Sequence, residues 1–98
     1  MAAYLIANIR VTDPAKFAEY RDKVAPMIAR YSGRYVIRGG AVTAVEGAPG
    51  LDRVVVLEFD DMAALKRFYH SDDYAPLIAL RQSASTGDVA LVEGYAPA

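Results

Sequence analysis

Residues 35–46 read YVIRGGAVTAVE, two apolar halves joined by Arg38 and the glycine pair Gly39 and Gly40. Alternating and β-branched apolar residues predict a strand, and glycines inside a strand mark a bulge or a bend. The stretch therefore predicts one long strand that bends sharply at its centre. Arg38 lies at the bend, and a charge in an apolar strand needs a partner because burying it alone is costly.

The chain before this strand predicts another strand and then a helix. Residues 4–11 form the strand, with Leu5, Ala7, Ile9 and Val11 on one face and Tyr4, Ile6, Asn8 and Arg10 on the other. Asp13 and Pro14 predict the helix start, because aspartate caps free N–H groups and proline suits the first helical position. Apolar residues recur at helical spacing up to Ser32-Gly33, which predicts the helix end. Pro26 predicts a kink or a split within the helix.

After the bent strand, the sequence alternates again between strand and helix signals. Residues 53–59 are rich in valine and predict a strand. Asp60-Asp61 predicts the cap of a second helix, and a third helix is predicted to begin near Tyr74. Residues 89–95 predict the last strand.

This order of elements is the split β-α-β pattern of a ferredoxin-like α+β domain with a four-stranded antiparallel sheet, in a single domain over residues 1–98. Helices can cover only one face of such a sheet. Residues 54–57 are apolar at every position, however, so both faces of their strand need cover. We therefore predict a homodimer in which two sheets pack face to face as a dimeric α/β barrel.

Composition excludes several classes of function. The net charge is −1 and there is no basic stripe, which disfavours nucleic acid as a partner. The N-terminal residues lack the features of a signal peptide or a membrane span, so we expect a cytoplasmic protein that does not bind membranes. The sequence has no cysteine and His70 is its single histidine, which excludes disulfides, thiolate metal sites and multi-histidine sites within one chain. We expect no metal, nucleotide or other cofactor.

Four charged residues interrupt otherwise apolar patterns, namely Arg38, Glu58, Arg81 and Glu93. Arg81 lies seven residues after Tyr74 on an apolar helix face, so it is predicted to point inward. In a structural interpretation, the four residues form the ion pairs Arg38–Glu58 and Arg81–Glu93, which fix strand register or the dimer interface.

The same charges also allow a functional interpretation. Arg38 and Arg81 would hold a carboxylate or an enolate in a pocket rimmed by Tyr69 and Tyr74. Glu58 would then be a general base with a raised pKa. The sequence leaves both interpretations open.

Three further residues have one functional and one structural interpretation each. Gly39 could let a ligand approach the backbone, or it could only permit the strand to bend. In a functional interpretation, His70 is a proton shuttle or a single haem ligand; in a structural one, it is a solvated cation favoured by the C-terminal end of a helix. Asn8 lies on the same face as Tyr4, where it could reach into the pocket or bond across the sheet.

The motifs along the chain, taken together, resemble the domain of unknown function 1330 family over nearly the whole length. The resemblance rests on Thr12-Asp13-Pro14, Tyr35 through Arg38-Gly39-Gly40, Val56-Leu57-Glu58-Phe59, Phe68-Tyr69-His70-Ser71, Tyr74, Pro76-Leu77 and Arg81. It implies a ferredoxin-like fold and a homodimer, beside the antibiotic-biosynthesis monooxygenase-like proteins of the dimeric α/β barrel superfamily. It implies no particular activity, because one fold hosts many functions.

The leading hypothesis is a homodimer that binds a small anionic or phenolic metabolite, and that could act as a cofactor-independent isomerase or a monooxygenase-like enzyme. Glu58 would accept a proton, while Arg38 and Arg81 would stabilise negative charge. The substrate would be oriented by Tyr69, His70 or Asn8. The alternative is a non-catalytic binding or assembly module in which the buried arginines and glutamates are structural ion pairs.

Overall fold

The computed structural model describes residues 1–97 and has four strands and three helices in this part of the chain. The elements are β1 (Ala3–Val11), α1 (Pro14–Arg30), β2 (Arg34–Arg38), β3 (Arg53–Phe59), α2 (Met62–Tyr69), α3 (Ala75–Ala84) and β4 (Ser85–Glu93). The strand order is β2-β3-β1-β4, and every neighbouring pair is antiparallel. The predicted ferredoxin-like α+β fold with a four-stranded antiparallel sheet is thus confirmed.

The helices cover one face of the sheet, and β1 at its centre makes this clear. Ala3, Leu5, Ala7 and Ile9 are buried, whereas the residues between them are partly or fully exposed. Successive strand residues point to opposite faces, so the buried set faces the helices. The largest fully buried side chains are Leu65, Phe59 and Phe68. The core therefore lies between the sheet and the helix layer.

Local side-chain signals set the helix starts as predicted. The carboxylate of Asp13 accepts a hydrogen bond from the backbone N–H of Lys16 at 3.1 Å, and that of Asp61 accepts one from Ala64 at 2.7 Å. Each bond satisfies an N–H group that the first helical turn leaves free. α3 begins without such a cap. In the turn before it, the hydroxyl of Ser71 accepts a hydrogen bond from the backbone N–H of Tyr74.

Pro26 does not split α1, which runs unbroken from Pro14 to Arg30. A proline inside a helix leaves the carbonyl four residues earlier, here that of Asp22, without its helical partner. Both residues are on the exposed side of the helix, where water can satisfy that carbonyl. The split considered from the sequence is therefore wrong.

Ser32 and Gly33 have different roles at the end of α1. Ser32 has the left-handed backbone conformation, with φ of 65°, and the N–H of Gly33 donates to the carbonyl of Ile28 at 2.9 Å. Gly33 is needed for a different reason, because a Cβ there would lie 2.5 Å from the Phe59 ring. The serine thus makes the turn and the glycine allows close packing.

The long bent strand predicted over residues 35–46 is wrong, because β2 ends at Arg38. Its only neighbour is β3, which begins at Arg53, and the last bond between them joins the N–H of Gly39 to the carbonyl of Val54 at 2.8 Å. Among the described residues 1–97, no further strand lies beside the later residues for them to pair with. Residues 39–52, which we call the arm, contain no helix or strand, and every residue after Gly39 in them is exposed.

The last strand begins four residues earlier than predicted. β4 includes Gly87, which lies opposite Ile9 of β1 and has φ of 149°. A Cβ at this position would run into the backbone carbonyl oxygen of Asn8. Glycine here permits a close approach of two strands, where the sequence had suggested only a loop.

No helix or strand of residues 1–97 covers the second face of the sheet. Directly paired strand residues share a face, so the pairs Ile6–Val56 and Ile37–Val56 lie on the side away from the helices. We call this side the open face; its apolar centre consists of Ile6, Ile37, Val56, Ala90 and Val92. Within residues 1–97, none of the helices is long and apolar enough to cross a membrane.

Candidate functional site

A cleft opens between the helix-facing side of the sheet and the helices α1 and α3. Most of its wall is apolar, formed by Leu5, Ala7, Ile9, Phe17, Val24, Ile28, Val55, Leu57 and Val89. The enclosed space is narrow, since the value of about 520 Å³ for the whole cleft includes open solvent at its mouth. The apolar lining between the two layers suits the apolar body of a small molecule.

The helix wall of the cleft carries a tyrosine pair. Tyr20 of α1 and Tyr74, just before α3, have their hydroxyl oxygens 2.7 Å apart, so the two groups share a hydrogen bond. The Tyr74 ring stacks on Phe68, with 4.4 Å between centroids. This packing fixes the hydroxyl at the cleft wall.

Arg81 of α3 lies beside this pair. The residue is only 8% exposed, as the helical spacing predicted, and it lines the cleft together with Tyr20 and Tyr74. Its positive charge opposes the effect of burial on the pKa of both tyrosines. We call Tyr20, Tyr74 and Arg81 the helix-wall cluster.

Burial keeps the tyrosine hydroxyls protonated. It is the main cause that raises the pKa of Tyr20, with the neighbouring Tyr74 adding to the effect, and it is also the main cause that raises the pKa of Tyr74. A protonated hydroxyl can both donate and accept hydrogen bonds. The pair therefore stays a hydrogen-bonding group at neutral pH.

The sheet wall contributes Arg53, the first residue of β3. Its guanidinium carbon lies 5.4 Å from the centre of the Phe17 ring. Its Nε is buried and has no hydrogen-bond partner among residues 1–97. A buried donor without an acceptor is uncommon in folded proteins and costs stability. The hydrogen-bonding capacity of the Arg53 Nε is thus unused within the described chain.

With two further residues, three arginines and three tyrosines line the cleft. Arg21 of α1 and Tyr35 of β2 both line it. Burial raises the pKa of Tyr35, while the charges of Arg38, Arg53 and Arg21 lower it in part.

The described lining of the cleft contains no carboxylate to balance its positive charge. None of the cleft-lining residues in the described part of the chain is an aspartate or glutamate. The ion pairs found within residues 1–97 are Arg10–Asp52, Lys23–Glu19 and Arg34–Glu58, and none includes a cleft arginine. The arrangement favours an anion, since guanidinium groups and hydroxyls together offer many donors.

Glu58 lies on the opposite side of the sheet from this cleft. It accepts a hydrogen bond from the Tyr4 hydroxyl at 3.0 Å and pairs with Arg34 at 2.7 Å, both on the open face. The ion pair predicted between Arg38 and Glu58 is therefore wrong. Since the sheet backbone separates Glu58 from Arg81, the structure does not bring the predicted base to the arginine.

The second predicted ion pair is also absent. Glu93 ends β4 as an exposed residue opposite Ala3, whereas Arg81 is buried in the cleft. No Arg81–Glu93 contact occurs among the ion pairs of residues 1–97. The reason is the length of β4, which carries Glu93 to the far end of the strand from Ser85, the residue that follows α3.

Arg38 and Gly39 lie close to cleft residues without lining the cleft. Arg38 is exposed, and its guanidinium carbon lies 4.5 Å from the centre of the Tyr35 ring. Gly39 has φ of 69°, and a Cβ there would lie 2.5 Å from Nη1 of Arg53. Gly39 thus leaves room for the Arg53 guanidinium.

The other predicted site residues lie outside the cleft lining. Tyr69 stands behind Tyr74, with ring centroids 5.7 Å apart, and the exposed His70 packs edge-on against Tyr69. Asn8 bonds to the end of the arm. Its side-chain Nδ2 donates to the carbonyl of Gly50 at 3.0 Å, and its Oδ1 accepts a hydrogen bond from the N–H of Asp52 at 2.8 Å. Of the predicted set, the structure brings together only Tyr74 and Arg81 in the cleft.

Sequence reasoning missed Arg53 and underrated Tyr20. Arg53, Val55 and Leu57 alternate along β3, and all three line the cleft. Strand periodicity could therefore have placed Arg53 on the same face as Val55 and Leu57. Tyr20 recurs at helical spacing with Phe17 and Val24, which by itself predicts an apolar packing residue of α1. Only the three-dimensional packing brings its hydroxyl to that of Tyr74, 54 residues later in the chain.

The raised pKa values of the tyrosines predict a loss of stability in alkali. A tyrosine whose pKa is higher in the folded state than its usual value near 10 keeps its proton while the unfolded chain loses it. The free energy of unfolding should therefore be unaffected below pH 10 and fall above it, by up to about 1.4 kcal/mol per pH unit for each buried tyrosine. Tyr20→Phe should make the fall less steep.

Urea unfolding followed by circular dichroism between pH 8 and pH 11 measures this effect. Tyr95→Phe is the matched control, because Tyr95 is 88% exposed, and its stability should follow that of the wild type. An equally steep decline in Tyr20→Phe and Tyr95→Phe would contradict the assignment of Tyr20 as a buried, protonated tyrosine.

Solved structures of other proteins share this fold. A protein of unknown function from Rhodopseudomonas palustris, RPA0582, has a TM-score of 0.76 and 16% identity, over 98% of this chain and 84% of that one. SnoaB, a cofactor-independent oxygenase from Streptomyces nogalater, has a TM-score of 0.65 and 19% identity, over 98% and 95% of the chains. HapK from Hahella chejuensis has a TM-score of 0.58 and 18% identity, over 98% and 99%.

At these identities the likeness concerns the fold. No protein of curated description matches the sequence significantly. The family described as "Domain of unknown function (DUF1330)" matches residues 2–95, which is nearly the whole chain. The resemblance noted from the sequence is confirmed, and the chain belongs to the DUF1330 family.

Proposed function

We propose that this protein binds a small organic anion or phenol in the cleft between the helices and the sheet. The observation that carries the proposal is the cluster of Arg21, Arg53 and Arg81 on an apolar cleft that has no carboxylate among its described lining residues. Like charges held together in a poorly solvated place repel one another. A bound anion would relieve this repulsion and accept hydrogen bonds from the guanidinium groups.

The composition of the cleft favours binding over proton abstraction by the protein. Its lining in the described chain includes no histidine, aspartate or glutamate, and Glu58 is on the other face of the sheet. Retention of the tyrosine protons at neutral pH leaves no strong base in the cleft. We therefore assign the protein first to small-molecule binding.

A second candidate function is cofactor-independent oxygenation or isomerisation of the bound molecule. Stabilisation of a phenolate or an enolate by guanidinium groups would favour both reactions, because each begins from the electron-rich anion. The likeness in fold to SnoaB, a cofactor-independent oxygenase, gives additional support by analogy only. Oxygen consumption in the presence of a bound phenol would distinguish turnover from binding alone.

The proposal includes a homodimer that forms through the open face. Ile6 and Val92 are each at least 40% exposed there, and Val42 and Leu51 of the arm are also exposed apolar residues. An apolar sheet face of this kind is stabilised when a second sheet covers it. Packing of two open faces would produce the dimeric α/β barrel and would bury the Arg34–Glu58 pair between the subunits.

Arg81→Met tests the anion site. We expect wild-type protein to be stabilised by members of a panel of small carboxylates and phenols. A ligand at about one hundred times its Kd adds about 2.7 kcal/mol, which is roughly 10–20 °C in Tm for a domain of this size. Arg81→Met should reduce this shift, because one of the three cleft guanidinium charges is removed. Without ligand the variant should be at least as stable as the wild type, because an unpaired buried arginine costs stability.

Arg67→Met is the matched control for this thermal-shift experiment. Arg67 is an exposed residue of α2 that forms none of the ion pairs of residues 1–97, so its removal should leave the ligand-induced shift intact. A panel without any stabilising compound would contradict the proposal. So would a shift in Arg81→Met as large as that of the wild type.

Ile6→Asp tests the dimer. The substitution places a carboxylate at the centre of the open face, so it should convert a wild-type dimer into a monomer, since a buried unpaired charge costs several kcal/mol in the interface. Light scattering coupled to size-exclusion chromatography measures the mass. Ala63→Asp, at an exposed position of α2, should remain dimeric. A monomeric wild type, or a dimeric Ile6→Asp variant, would refute this interface.

A further inference from the structure

We infer that the ligand is a carboxylic acid with a second polar oxygen, a hydroxyl or a carbonyl, on an apolar skeleton. Its carboxylate pairs with Arg53 on the sheet wall, and its second oxygen pairs with the helix-wall cluster of Tyr20, Tyr74 and Arg81. This inference rests on the proposed function and deepens it by naming the class of ligand.

Arg53 has the geometry that a carboxylate needs. Its Nε is buried without a partner in the described chain, and the adjacent nitrogens of a guanidinium form a planar fork. A carboxylate has two oxygens and can accept from both prongs of that fork, whereas a phenolate has only one. A carboxylate can accept from two guanidinium nitrogens at once, so it suits this wall better than a phenolate does.

The surroundings of Arg53 hold the fork in place. The Phe17 ring lies 5.4 Å from the guanidinium carbon, within the range of a cation–π contact. Gly39 leaves space beside Nη1 that a larger residue would fill. A guanidinium packed against an aromatic ring loses less side-chain entropy when it binds, which favours a directed contact.

The helix-wall cluster has spare hydrogen-bonding capacity. Two hydroxyls carry two hydrogens, and the bond between Tyr20 and Tyr74 uses one of them. The other hydrogen, and the oxygen lone pairs that remain, can donate to a carbonyl or exchange hydrogen bonds with a hydroxyl. Arg81 adds guanidinium donors at the same wall. The cluster thus suits a neutral polar oxygen as well as a charged one.

The two polar groups stand on different walls of one cleft. Arg53 belongs to β3 of the sheet, whereas Tyr20 and Arg81 belong to helices on the other layer. The surface between them is apolar and includes Leu5, Val55 and Leu57. A ligand that meets both walls therefore needs polar oxygens at two points and an apolar body between them.

Two-dimensional NMR titrations of the intact protein test this two-point recognition. The probes with both oxygens are 3-hydroxybenzoate, 4-hydroxybenzoate and 4-oxopentanoate; benzoate and pentanoate lack the second oxygen, and phenol and 2-pentanone lack the carboxylate. We expect the Kd of at least one two-oxygen probe to be lower than those of both its matched partners by a factor of about ten or more. One additional hydrogen bond to a charged or polar group lowers a Kd by about this factor.

Three variants assign each point of recognition to its wall. Tyr20→Phe should remove the advantage of the second oxygen and leave the Kd of benzoate or pentanoate nearly unchanged. Arg53→Met should remove the advantage of the carboxylate and leave phenol or 2-pentanone nearly unchanged, and Arg53→Lys should recover only part of it because it lacks the fork. Arg67→Met should behave as the wild type for all probes.

The outcomes separate this inference from the proposed function. If carboxylates or phenols bind in the cleft but no two-oxygen probe has an advantage, or if Arg53→Met does not weaken carboxylates, the two-point inference is overturned and anion binding stands. If no acid or phenol shifts the resonances of cleft residues, both are overturned.

Discussion

The helices cover only one face of the sheet, and this constraint decides which residues can act together. Neighbouring residues of a strand point to opposite faces. Leu57 and Phe59 are therefore buried under the helices, while Glu58 points to the open face and bonds to Tyr4. The same alternation brings Arg53 into the cleft. The strand backbone separates the two sets, so a carboxylate on one face cannot neutralise or assist an arginine on the other.

The cationic cleft is costly for the folded chain when it is empty. Arg81 is nearly buried without an ion pair among residues 1–97, and Nε of Arg53 lacks an acceptor. Residues that serve a ligand often reduce stability in this way, whereas structural charges are usually paired. Arg34 on the open face is such a structural case, since it contacts Glu58 at 2.7 Å. This contrast between paired and unpaired arginines favours ligand binding on the helix side.

The sequence predicted those parts of the fold and site that depend on local signals. The cap at Asp13, the bounds of the strand 53–59 and the inward direction of Arg81 all follow from patterns within a few residues, and the structure agrees with them. The strand predicted beyond Arg38 is absent because pairing requires a neighbouring strand, which no local pattern reveals. The role of Tyr20 depends on a contact 54 residues away, so it could not be predicted from periodicity alone.

We propose that the ligand lies between the helices and the sheet, beside Arg53. A crystal structure of the protein with 4-hydroxy-3-iodobenzoate tests this placement, because the anomalous signal of iodine distinguishes the compound from solvent molecules and other additives. Our account predicts an iodine peak in the cleft, with the carboxylate at Arg53 and the hydroxyl at Tyr20 and Tyr74. A peak on the open face near Glu58, or an empty cleft at saturating concentrations of the compound, would contradict it.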